Sequence, residues 1–156
     1  MNKVDLTPKF IAKGYSISTD KSLLDVAAIH QYLANESYWA GGLSMQKLQS
    51  SIQNSLCFGI YHENNLCAFA RVITDKATFA YVCDVFVMNA YRGQNLSKWL
   101  MQNIKEHTEL KNLRRWLLAT ADAHGLYEQF GFTTIKMPDR WMEIYTPNQT
   151  IALPQE

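Results

Sequence analysis

The chain has 156 residues, 47% of them apolar and 19% charged, enough for one domain with its own core and too apolar for a disordered chain. Fifteen Lys and Arg against fourteen Asp and Glu leave a net charge of +1, so no global field draws it to nucleic acid or to an anionic membrane surface. No apolar run approaches the ~20 residues of a membrane span; Ala80–Tyr91 comes nearest, and Asp84 interrupts it.

Met1–Lys13 mixes charge with proline and has no apolar signal core. Tyr15–Thr19 reads as a first strand. Ser22 is placed to cap a helix, with Asp25 three residues on, and Leu23, Val26, Ala27, His30 and Leu33 recur at helical spacing toward Asn35. Tyr38 and Trp39 precede the loop Ala40-Gly41-Gly42. Ser44 caps a second helix carrying Met45, Leu48 and Ile52. Three strand runs follow, Leu56–Tyr61, Leu66–Thr74 and Thr78–Met88. Short turns at Asn64-Asn65 and Asp75-Lys76 make them an antiparallel meander. The period then changes, and Leu96, Leu100, Ile104 and His107 mark a helix starting near Gln94 or Asn95. Arg114–Thr120 is a strand. Asp122 is placed to cap a short helix through Phe130, with Gly131 as its left-handed terminator. Phe132–Lys136 and Trp141–Thr146 read as two last strands, and the tail from Pro147 as loosely held. The fold class is α/β (α+β by some schemes): one domain over residues 1–156 with its core at about 14–146. The sheet is mixed and mostly antiparallel, of six or seven strands, with about four helices.

Cys57, Cys67 and Cys83 are odd in number, lack CxxC spacing and lie in apolar runs. They read as buried, reduced thiols of a cytoplasmic protein, not as a disulfide framework or a zinc site. No histidine has metal-ligand spacing, so no metal is expected. Asn148-Gln149-Thr150 matches a glycosylation sequon that carries little weight without a secretory signal.

The informative join is the strand ending at Met88 and the loop and helix after it, Tyr91-Arg92-Gly93-Gln94-Asn95-Leu96-Ser97. A loop entering a helix points unpaired N–H groups outward along the helix dipole, which suits a pyrophosphate. Every helix start shares this property, and most bind only water.

Three blocks in order, Asp84-Val85-Phe86-Val87, Tyr91 to Ser97, and Leu126-Tyr127-Glu128-Gln129-Phe130-Gly131-Phe132, resemble the GNAT superfamily of acyl-CoA-dependent N-acyltransferases. Leu118-Ala119-Thr120-Ala121-Asp122-Ala123-His124-Gly125-Leu126-Tyr127 is similar to a bacterial branch of it. Against the signature Q/R-x-x-G-x-G/A, Arg92 and Ser97 match the ends. Asn95 replaces the middle glycine, and Asn tolerates φ > 0.

The resemblance implies acetyl-CoA as acyl donor, without a metal. Pantetheine would lie along the strand at Val85, Phe86 and Val87, with pyrophosphate on Arg92, Gly93, Gln94, Asn95, Leu96 and Ser97. An amide near Val85 or Phe86 would polarise the thioester carbonyl. Tyr127 aligns with the family's tyrosine at the CoA sulfur; otherwise it is a core aromatic beside Phe130. Asp84 is the candidate base for the amine, with pairing to Arg71 as the purely structural alternative. His124, three residues before Tyr127, is the other candidate base or else a local hydrogen-bonding residue. Tyr38 and Trp39, together with Phe79, are candidate acceptor-binding aromatics, and core filling explains them equally well. The expected function is an N-acetyltransferase acting on a primary amine of a small molecule in a ternary complex. The alternative is a non-catalytic acyl-CoA-binding sensor or interaction domain. Neither nucleic acid nor membrane is an expected partner; a homodimer is compatible with the family.

Overall fold

Alternation of apolar side chains builds the centre of the molecule. The computed structural model describes residues 3–148. Its sheet has five strands in chain order: β1 (Tyr15–Ser18), β2 (Leu56–His62), β3 (Asn65–Thr74), β4 (Phe79–Val87) and β5 (Arg115–Leu117). β1 to β4 are antiparallel and β5 joins β4 in parallel. Helices α1 (Thr7–Ala12), α2 (Val26–Asn35), α3 (Met45–Gln53), α4 (Leu96–Glu106) and α5 (His124–Glu128) cover it.

The two faces have separate cores. Ala68, Ala70, Val72, Ala80 and Val82 meet Leu96, Trp99, Leu100 and Ile104 of α4, with Phe10 of α1 stacked on Trp99 at 4.9 Å. Leu66, Phe69 and Phe86 meet Ile29, Tyr32 and Leu33 of α2 and Leu48 and Ile52 of α3. Each fully buried large apolar side chain contributes about 1.5–3 kcal/mol.

Several expectations are corrected. Before Tyr15 the sequence reading assigned no element, yet Thr7–Ala12 is helical, with proline in its first turn and Gly14 beyond its end at φ +84°. The Ser22 cap is replaced by two aspartates. Asp20 caps a single 3₁₀ turn, Lys21–Leu23, and Asp25 caps α2 by accepting from the Ala28 amide at 3.0 Å. Leu24 between them is extended (ψ 132°), which separates the turn from the helix. Ser44 caps α3 as expected. Asp122 caps nothing; the Thr120 hydroxyl accepts from the Ala123 amide instead, and α5 stops at Glu128. β5 spans three residues rather than seven, and Phe132–Lys136 and Trp141–Thr146 form no ladder. A strand pattern needs an edge to pair with, and among the described residues neither run meets one. Residues 149 and 150 of the sequon, and the tail beyond, lie outside the described residues.

No helix among the described residues is long and apolar enough to cross a membrane.

Candidate active site

Two irregularities of β4 open the site. Phe69 pairs with Phe86 while Arg71 pairs with Cys83, so Asp84 and Val85 together oppose Ala70. This is a β-bulge, and Asp84 takes its left-handed position at φ +52°. Such a backbone costs a non-glycine residue on the order of 1 kcal/mol, less for Asp than for most. In addition, β5 pairs with β4 only from Phe79 to Tyr81. Beyond Tyr81 the two parallel strands part, leaving the later edge of β4 without a partner strand.

The Met88 amide donates to the Cys67 carbonyl across β3–β4 at 2.8 Å. Alternation then turns the amides of Val85 and Val87 toward the gap. Of the gap-side carbonyls, that of Val87 is occupied by Arg92 Nε at 3.1 Å. The Val85 amide is thus the oxyanion candidate in preference to Phe86.

Past β4, a 3₁₀ turn Asn89–Tyr91 leads into the phosphate-loop candidate. Gly93 has φ +80° and Asn95 φ +66°, as the missing middle glycine requires. The amides of Gly93, Gln94, Asn95, Leu96 and Ser97 donate to no acceptor among the described residues. Five N–H groups without an acceptor at the start of an eleven-residue helix are the kind of arrangement that suits an anion.

A cleft of about 270 Å³ runs from this loop along β4 to α5. Val85, Phe86 and Val87 form one wall, Arg92, Gly93, Asn95, Leu96 and Ser97 the mouth, and Tyr127 the far end. The sequence reading missed three of its residues. All three, Tyr91, Ala123 and Leu126, stood within the quoted motifs without being singled out. Gln94 contributes its amide but not its side chain, which accepts from the Tyr15 hydroxyl at 2.9 Å. A larger hollow of about 350 Å³ lies between β1 and the end of α4. In it, His107 Nδ1 accepts from the Glu109 amide and the ring packs edge-on against Phe58.

Tyr127 is 9% exposed. Burial, with Tyr38 and Asp122 nearby, pushes its phenol up to about 12. Its hydroxyl has no acceptor among the described residues, so it is a protonated donor available to the cleft. His124 is the exposed first residue of α5 and does not line the cleft, whereas Tyr127, three residues on in the same helix, is buried and does.

Asp84 is held as the structural alternative foresaw and with one donor more. Arg71 Nε binds Oδ2 at 2.8 Å, and the Trp39 indole donates to Oδ1 at 2.9 Å. Arg71 also donates from Nη1 to Ser55 Oγ at 3.1 Å. Neighbouring Tyr38 accepts from the Ala121 amide at 3.0 Å. Tyr38 and Trp39 thereby tie the α2–α3 loop to both sides of the gap, one to the β5–α5 loop and one to the bulge. Phe79 is not with them. It begins β4, five residues before Asp84 and roughly 16 Å away at strand rise, where its carbonyl accepts from Thr74 Oγ1.

Tyr32 is a residue the sequence did not suggest. Its ring stacks on Phe86 at 4.0 Å and its hydroxyl accepts from Arg92 Nη2 at 2.9 Å. The first residue of the phosphate-loop candidate is thus fastened to α2.

Cys57 and Cys83 flank Arg71 across three strands. Cys83 is half-buried rather than a core thiol. Burial pushes Cys57 up to about 11 and Cys83 up to about 12, so neither is a thiolate nucleophile at neutral pH. Among the described residues no three His, Cys, Asp or Glu side chains are grouped to hold a metal ion.

The model of the acetyltransferase (GNAT) family matches residues 26–132. A GNAT-family crystal structure from Xanthomonas campestris pv. campestris is 47% identical, with a TM-score of 0.84, over 86% of this chain and 94% of that one. A Gibberella zeae protein that carries the name of an acetyltransferase is 30% identical over 133 residues, 72% of this chain and 75% of that protein. A Clostridium acetobutylicum structure with acetyl-CoA shares the fold at 14% identity and TM-score 0.60, over 84% of this chain and 94% of that one.

Proposed function

Because the chain belongs to the GNAT acetyltransferase family, we propose that it transfers the acetyl group of acetyl-CoA to a primary amine of a small molecule by direct attack in a ternary complex. The observation that carries this reading is the continuity of the cleft from five free loop amides, along the unpaired edge of β4, to the Tyr127 hydroxyl. An anion, an extended amide chain and a leaving sulfur each find the group that suits them in that order.

Acetyl-CoA would supply the acetyl group as an activated thioester. The amides of Gly93–Ser97 would hold the pyrophosphate, and the Val87 amide and Val85 carbonyl the pantetheine. The Val85 amide is aimed to take up charge growing on the thioester oxygen. Asp84 keeps lone-pair sites on both oxygens beyond the bonds from Arg71 and Trp39. It anchors the incoming ammonium and accepts its proton directly or through water. Tyr127 Oη donates to the sulfur as negative charge grows there. The acceptor enters over Tyr38 and Trp39. A cytoplasmic setting accords with three free cysteines.

One observation favours the rival reading of an acyl-CoA sensor: both Asp84 oxygens already have donors. A panel of small amines, read by release of free CoA thiol, separates the two. Amine-dependent thiol release is expected. Tight CoA binding without turnover on any amine or peptide would transfer the case to the sensor.

A further inference from the structure

The helical cover of one sheet face ends partway along β3. Phe69 is fully buried in the core beneath α2 and α3, whereas Ile73, four residues on and on the same face, is 43% exposed. Arg71 lies between them, at the rim, with its side chain 15% exposed. Its nitrogens are unequally used. Nε donates to Asp84 Oδ2 and Nη1 to Ser55 Oγ, while Nη2 has no acceptor among the described residues. Among those residues the one buried side-chain nitrogen or oxygen without a partner is Tyr61 Oη, so Arg71 Nη2 is open to solvent. The guanidinium that holds the candidate base thus keeps a cationic donor free beside it.

Asp84 has the opposite difficulty, since both its oxygens already accept, from Arg71 and from Trp39. A bare ammonium arriving there competes with Arg71 for one carboxylate. An ammonium that brings its own carboxylate gives Arg71 a second anion, and the charges then alternate with no change in their total.

We propose that the site takes an α-amino acid as acceptor, its amine on Asp84 and its carboxylate on Arg71 Nη2. This rests on the acetyl-transfer reading above and names the substrate class for it. Arg71 and Asp84 are joined at 2.8 Å, so the acceptor's two groups must lie equally close together, as on one carbon. A guanidinium is the side chain best matched to a carboxylate. Cys83 faces Arg71 across the strand pair, and Tyr81 faces Ile73. Burial raises the Tyr81 phenol, and Cys83, Asp84 and Arg71 also act on it, which puts Tyr81 beside them. Ile73 and Tyr81 continue the face as apolar surface about 7 Å further along the strands, which suits an aliphatic side chain on the same carbon. In the transfer the N–C bond forms and the C–S bond breaks. One proton of the ammonium ends on sulfur and another leaves through Asp84 to solvent, giving an N-acetyl amino acid and the CoA thiol.

Titration calorimetry on CoA-saturated protein tests the site without turnover. The probes are leucine, its amide and isoamylamine, which is leucine without the carboxylate. Leucine is expected to bind roughly 10- to 100-fold more tightly than either of the others. Arg71→Lys keeps a cation beside Asp84 but loses the fork, and melts check its fold. In it leucine and isoamylamine are expected to bind alike. Equal binding of the three by the wild type overturns the proposal, whatever the variant does, and so does an Arg71→Lys protein that keeps the full preference. CoA thiol release separates the two readings. Turnover of all three amines at equal kcat/KM overturns the amino-acid acceptor and leaves acetyl transfer standing. Leucine bound with the expected preference, but acetylated by no wild-type preparation, overturns acetyl transfer and leaves the amino-acid site.

Discussion

Tyr127→Phe isolates one hydrogen bond. The ring, which meets Phe132 at 6.0 Å, is kept, and only the hydroxyl at the end of the cleft is lost. With the phenol pushed up to about 12 and a leaving thiol near about 8.5, the proton stays on oxygen and the group acts as a donor. A hydrogen bond to a charged acceptor is worth about 1.5–3 kcal/mol. At about 1.36 kcal/mol per decade this predicts a fall in kcat of roughly 10- to 150-fold. KM for acetyl-CoA should barely change, because the bond strengthens only as charge reaches sulfur. Stopped assays of CoA thiol release, with thermal melts of both proteins, measure this. The same variant has a stability signature. Above pH 10 an unfolded tyrosine loses its proton while the buried one keeps it, so the native state binds more protons and stability falls as pH rises toward 12. Tyr127→Phe lacks this loss, and the two melting curves should coincide at pH 7 and separate above pH 10 in the variant's favour. Wild-type turnover by the Phe variant would refute the assignment and leave Tyr127 a core aromatic.

Asp84→Asn should lower amine turnover by about 10²–10⁴-fold. It should also destabilise the fold by about 3 kcal/mol, since it strands the Arg71 guanidinium beside the bulge. Adding Arg71→Met should restore denaturant stability but not turnover; recovered activity would return Asp84 to a structural role. CoA at about 100 times its Kd should stabilise the protein by about 2.7 kcal/mol in melts. Gly93→Val should abolish most of that gain, because φ +80° is strained for a β-branched residue; an unchanged shift would place the pyrophosphate elsewhere. At Gly59 an added Cβ collides with the Tyr61 ring and hydroxyl, so Gly59→Ala should cost about 1–3 kcal/mol in urea unfolding. The same hydroxyl is buried without a partner among the described residues, so Tyr61→Phe should be neutral or stabilising. A loss of stability there would reveal an unrecognised partner.

What the sequence determined by itself is what neighbouring residues settle among themselves. The helix from Leu96, the cap at Ser44, the left-handed Asn95 before α4 and the positive φ of Gly131 are local. Each depends on a few adjacent side chains and backbone sterics, so each is legible in the chain. Residues of the three motif blocks also come together along one cleft. Pairing across long sequence separations was not legible. Whether Phe132–Lys136 and Trp141–Thr146 become strands depends on an edge that the fold has to offer, and alternation alone does not provide one. Phe79 was placed at the acceptor side by its chemical type, but strand rise along β4 carries it to the other end. The bulge that seats Asp84 exists only in the register of β3 against β4, and Arg71, Trp39 and Tyr32 reach the site from three different elements. Tertiary structure decided these because an ion pair or a stacked ring needs two groups brought within a few ångströms. That distance is set by the packing of helices on a sheet, not by spacing along the chain.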